Sequence, residues 1–71
     1  MTSSMWDKIV GKWMQLKGEI QSRWGKLTDD EVAHINGERE KLAGRLQELY
    51  GIAKEEANRQ IDEWADALKF D

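Results

Sequence analysis

His34 is the only histidine of the chain and there is no cysteine. Nucleophilic catalysis would therefore need a serine beside this one imidazole. Ser3 and Ser4 fall at an end expected to fray, and Ser22 is mid-helix with no base at a useful spacing. Acid–base chemistry would need two carboxylates converging on one cleft with separated pKa values. Asp29, Asp30 and Glu31 are consecutive, so on a helix they fan apart. Their first-turn position already has a structural reason, since acids there complement the helix dipole. No ligand spacing for zinc, calcium or magnesium occurs around them or around His34. The expectation is no enzyme, no cofactor and no metal.

Cations are the other candidate chemistry. Lys8, Lys12, Arg23 and Lys26 project to roughly one side of the first predicted helix, interrupted by Glu19. They form the candidate interaction surface, read either as a solvated face or as a contact for phosphate or anionic lipid. Residues 1–26 carry five basic side chains against two acids, and the remainder six against twelve, for a net charge of −3. Such asymmetry suggests an anionic partner or mutual attraction of the two halves.

Positioning these groups falls to helices. Trp6, Ile9, Val10, Trp13, Leu16, Ile20 and Trp24 recur at three- and four-residue intervals, one apolar stripe on a helix over about residues 4–24. Gly25 is expected to end it in a left-handed conformation. Thr28 and Glu31 have the spacing of a capping box, with Leu27 and Val32 as its hydrophobic staple. They open a short helix over 28–36 that carries Val32 and Ile35 inward and breaks at Asn36-Gly37. A third helix spans about 38–50 with Leu42, Leu46 and Leu49 on one side, and Gly51 closes it. The fourth, about 54–69, carries Ala57, Ile61, Trp64, Ala65 and Leu68, and Ala53 offers its start no cap.

Trp13, Trp24 and Trp64 are read as core, each able to bury roughly 150–250 Å². Trp6 is expected half-exposed and available to a partner. Gly11, Gly18 and Gly44 fall away from the apolar stripes, where a solvent-facing glycine costs about 1 kcal/mol relative to alanine. They mark either a soft helix or the close approach of another backbone.

A second order overlies this pattern. Residues 11–25 align without a gap on residues 37–51: three glycines, a leucine and a glutamine coincide, with Ile20/Leu46 and Trp24/Tyr50 as close substitutions. Each copy is followed by a helix start with paired acids, Asp29-Asp30 and Glu55-Glu56. A supersecondary unit used twice buries an apolar face that one copy could not. The reading is all-α: four helices forming two crossed helical hairpins within one domain, with an internal pseudo-repeat. Seventy-one residues bury only about 60% of their unfolded surface, so a stability of a few kcal/mol is expected.

The blocks Gly-Lys-Trp-Met-Gln-Leu-Lys-Gly (11–18), Trp-Gly-Lys-Leu-Thr-Asp-Asp-Glu (24–31), Leu-Ala-Gly-Arg-Leu-Gln (42–47) and Tyr-Gly-Ile-Ala-Lys-Glu-Glu-Ala (50–57) resemble the CsbD-like family of small bacterial stress proteins. The resemblance covers about residues 9–64. Met14 and Glu38 depart from it, where lysine is commoner, and Ile52 stands where an aromatic is frequent. The resemblance implies a cytoplasmic general-stress protein with a SAM-domain-like helical fold, no enzymatic activity and no known ligand. It also implies similarity to hydrophilins, which the mean hydropathy of −0.80 and six glycines fit. The periodic apolar stripes, however, predict a folded chain.

Three readings stay open. One is a non-enzymatic protectant or weak partner of other macromolecules, a monomer acting by abundance. Another is a helix-hairpin-helix-like nucleic-acid module, in which amides at a second helix start hold a phosphate. Gly51-Ile52 has part of that pattern, but the acids at both helix starts oppose phosphate. The last is a peripheral membrane binder using the first helix. The apolar runs are too short to span a bilayer, and the first residues lack the layout of a secretory signal.

Overall fold

The computed structural model describes residues 4–68. All elements among them are helical: α1 (Ser4–Gly11), a 3-10 turn (Trp13–Leu16), α2 (Lys17–Arg23), α3 (Asp29–Ile35), α4 (Arg39–Tyr50) and α5 (Lys54–Ala67). The chain divides into two units, Met1–Glu38 and Arg39–Asp71. The expected all-α class holds, with five α-helices in place of four. Ser3 and position 69, the expected end of the last helix, lie outside the described residues.

The extra helix comes from a break in the stretch predicted as one helix over 4–24. Lys12 leaves helical geometry (φ −115°, ψ 17°). Its amide is shared between the carbonyls of Lys8 and Ile9, both at 3.1 Å. Such three-centre bonds are common where an α-helix ends. The 3-10 turn that follows advances three residues per turn and rephases every later side chain. Trp13, Ile20 and Trp24 become buried, while Val10, a member of the predicted stripe, is left 45% exposed and Met14 53%.

A tertiary contact accompanies the break. The Trp13 indole Nε1 donates a buried hydrogen bond of 2.6 Å to the Val32 carbonyl in α3. Leaving that N–H buried and unbonded would cost about 1–3 kcal/mol. Gly11 makes the interruption cheap, since glycine gives up about 1 kcal/mol of helix preference. The rings of Trp6 and Trp13 lie 6.4 Å apart, tilted by 56°, which suits an aromatic pair.

The start of α3 forms as expected. Thr28 Oγ1 accepts from the Glu31 amide and Glu31 Oε1 accepts from the Thr28 amide, each at 3.2 Å. Leu27 and Val32, the two staple positions, are both buried. Its end is a pair of left-handed residues, Asn36 (φ 50°) and Gly37 (φ 80°). Gly25, by contrast, is not left-handed. α2 ends through Trp24, whose amide bonds to the Ile20 carbonyl at 2.8 Å. Gly51, its counterpart in the second copy, does take a positive φ, 64°.

In the second unit α4 and α5 pack as a hairpin. Leu42, Ala43 and Leu46 of α4 and Ala57, Ile61, Trp64 and Ala65 of α5 are buried. Leu49 and Leu68, expected on the inward faces, are half-buried. Ala53 gives α5 no side-chain cap. Arg59 sits between Glu56 (2.5 Å) and Glu63 (2.6 Å) on the outer face of α5. Such exposed pairs contribute about 0–1 kcal/mol each.

The repeat reaches further than the aligned blocks. Ile9, Ile35 and Ile61 recur at one spacing, on α1, α3 and α5, and all three are fully buried. The spacing is that which sets Gly11 on Gly37.

Gly37 and Gly44 should respond oppositely to alanine. A Cβ at Gly37 would lie 3.3 Å from Val10 Cα, Cγ1 and Cγ2, on a residue already at positive φ. Gly37→Ala should destabilise by about 1–3 kcal/mol. A Cβ at Gly44, inside α4, meets nothing within 4 Å, so Gly44→Ala should stabilise by up to about 1 kcal/mol. Urea midpoints at unchanged slope check both signs.

Candidate functional site

The four predicted basic residues are all exposed. The break distributes them: Lys8 lies on α1, Lys12 at the non-helical joint, Arg23 in the last turn of α2 and Lys26 in the loop before α3. The Arg23 guanidinium stands 5.6 Å from the centre of the Trp24 ring, within cation–π reach. Trp6 is half-buried and donates from Nε1 to the Gly37 carbonyl at 3.2 Å. Trp13, Trp24 and Trp64 are buried as expected. His34 and Ser22 are exposed. Among the described residues no three His, Cys, Asp or Glu side chains converge as cation ligands, and no helix is long and apolar enough to cross a membrane.

The acidic run is put to structural use. Gln21 Nε2 donates to Asp29 Oδ1 at 2.7 Å and to the Leu27 carbonyl at 3.2 Å. Lys17 Nζ lies 3.5 Å from Asp29 Oδ2. A carboxylate is thus gripped by an amide and an ammonium across the α2–α3 connection. The Gln21 hydrogen bond, and then the Lys17 charge, hold the Asp29 pKa below the usual aspartate value.

The second unit carries the corresponding connection in a different state. A cleft of about 380 Å³ opens beside α4 and α5, lined by Arg39, Glu40, Ala43, Gly44, Gln47, Lys54 and Asn58. One wall is held by Arg39, which donates from Nε to Asn58 Oδ1 (3.4 Å) and from Nη2 to the Asn58 carbonyl (3.3 Å) and Asp62 (2.6 Å). Asn58 Nδ2 in turn donates to the Lys54 carbonyl at 3.2 Å. Of the lining residues, the sequence raises Gly44 as an exposed glycine, Gln47 as a repeat position and Lys54 as a cation at a helix start, without bringing them together. Gln21 and Gln47 coincide in the repeat.

The model of the family described as CsbD-like matches residues 7–59. The chain belongs to the CsbD-like family. A UPF0337 protein of Pectobacterium atrosepticum is 45% identical to it over 64 residues, 90% of this chain and 93% of the relative. One from Pseudomonas aeruginosa is 48% identical over 62 residues, covering 87% and 95%. UPF0337 protein YjbJ of Escherichia coli K12 is 43% identical over 58 residues, covering 82% and 84%. No solved structure matches the chain. The CsbD-like family is one of general stress-response proteins. The matched span takes in every described helix of the CsbD-like fold except the first residues of α1 and the end of α5.

The grip on Asp29 predicts a pH dependence. A depressed folded-state pKa contributes stability that is complete above the unfolded value of about 3.9 and is lost as pH falls through the folded value. Gln21→Ala should move the Asp29 carboxyl resonance midpoint upward in an NMR titration and flatten the acid limb of stability. An unchanged midpoint would refute the grip.

Proposed function

We propose that this CsbD-like protein is a non-enzymatic, cytoplasmic, hydrophilin-like general-stress protein, a monomer acting by abundance as a protectant or weak partner of other macromolecules. Family membership carries the reading. It is supported by the way chemistry-bearing groups are spent: Thr28 and Glu31 cap α3, and Asp29 with Gln21 and Lys17 secures the connection before it. The mean hydropathy of −0.80 and the ion pairs along α5 suit a protein that stays dissolved when water is scarce.

The other two readings run against particular contacts. Phosphate at the start of α3 would meet Asp29, Asp30 and Glu31, and at the start of α5 Glu55 and Glu56. Membrane insertion of the first stretch would pull Trp13 and Trp24 from buried positions and break the indole bond to Val32.

The test is survival of a labile enzyme through drying or heating. Activity retained with this protein should exceed that with an equal mass of an inert protein. Equal survival would overturn the protectant reading. Salt-reversible binding of a DNA duplex, or of anionic vesicles with a change in tryptophan emission, would replace it.

A further inference from the structure

The two hairpins place the same glutamine at the same point and use it differently. In the first, Gln21 and Lys17 together hold the Asp29 carboxylate. In the second, Ala43 stands at the position of Lys17 and Glu55 at that of Asp29. Gln47 lines the cleft, and among the described residues its side chain has no hydrogen-bond partner. Lys54 lines the same cleft, and among the described residues its ammonium has no ion-pair partner. Glu55 is exposed and does not close onto Gln47. The second hairpin therefore presents an amide and an ammonium, the donor types that grip a carboxylate in the first, with the carboxylate missing.

We propose that this cleft between α4 and α5 binds a small carboxylate, with Gln47 and Lys54 as its donors. The space fits: about 380 Å³ lies in the range of small-molecule sites. Gly44 keeps it open, because any side chain there would project into the volume, and nothing else occupies the position of its Cβ. Arg39 and Asn58 form a fixed wall through their mutual bonds and the pair with Asp62. Glu40 lines the far end, seven residues from Gln47 and so about 10 Å along the helix. With Glu55 next to Lys54 in sequence, it makes the surroundings hostile to multiply charged anions. A single carboxylate is therefore preferred over phosphate. The site stands independently of the protectant reading, since that activity requires no ligand.

The experiment is an amide-resolved NMR titration of the intact labelled protein with sodium acetate and with sodium glutamate. Sodium chloride at matched ionic strength and inorganic phosphate serve as comparison arms. Saturable shifts at Gly44, at Lys54 and at the Gln47 side-chain amide, in the millimolar range and absent with chloride, are expected. Acetate and glutamate saturating alike would make the carboxylate alone the recognised group. Tighter glutamate binding would add its amino group facing Glu40. Gln47→Ala and Lys54→Met should each weaken binding about threefold or more. Glu55→Gln should tighten it, and Gln21→Ala should leave it unchanged. Gly44→Leu should block the site with both donors intact, each variant being checked for a dispersed folded spectrum. Shifts that follow chloride, phosphate binding more tightly than acetate, or titrations unaltered by Gln47→Ala and Lys54→Met would each overturn the proposal.

Discussion

One hydrogen bond, from the Trp13 indole to the Val32 carbonyl, organises the first unit. It sits just past the point where the chain leaves the α-helix at Lys12, before it re-enters one at Lys17. Beyond the break Trp13, Ile20 and Trp24 are buried and Met14 is exposed, while Val10, before it, is also exposed. Val32 also receives the Asn36 amide, so the same carbonyl ties the first segment to the left-handed end of α3. Gly37, held at φ 80° beyond it, comes within contact of Val10 and accepts from Trp6. A single buried donor thus ties together a helix break, an aromatic pair and a tight turn.

Much of this was legible where the physics is local. The Thr28–Glu31 box needs only four residues and forms as spaced. Asn36-Gly37 breaks the chain because both residues tolerate positive φ. Three tryptophans are buried as their spacing implied. The break at Lys12 was not legible from periodicity, which sees a stripe but not the distant carbonyl that Trp13 requires. The repeat did hold the clue: Gly11 aligns on Gly37, and the second copy begins its helix just beyond that glycine. Gly25 and Gly51 show the reverse, aligned residues with different backbone conformations. The break also places Lys8 and Lys12 before the 3-10 turn and Arg23 and Lys26 after it, all four exposed.

The repeated hairpins show how a fold this small handles its polar groups. Around α2 and α3 the acidic run is absorbed into caps and the Gln21–Asp29–Lys17 contact. Around α4 and α5 the ionic contacts include Arg59 with its two glutamates and Arg39 with Asp62. The two copies share some buried apolar positions, Ile20 with Leu46 and Ile9 with Ile35, and differ at others, where buried Trp13 and Val32 align on Arg39 and Asn58. A protein from a stress-response family can be hydrophilic on average and still possess a specific core, because average hydropathy and periodic burial are independent properties of a sequence.

The recurrence of Ile9, Ile35 and Ile61 links α1, α3 and α5, while Ile20, also fully buried, sits on α2 outside that series. Each of the three is held in place by the phase of its own short helix, since a break or a loop separates one from the next. A residue gained or lost in one of those connections would therefore alter the common spacing and leave all three isoleucines buried.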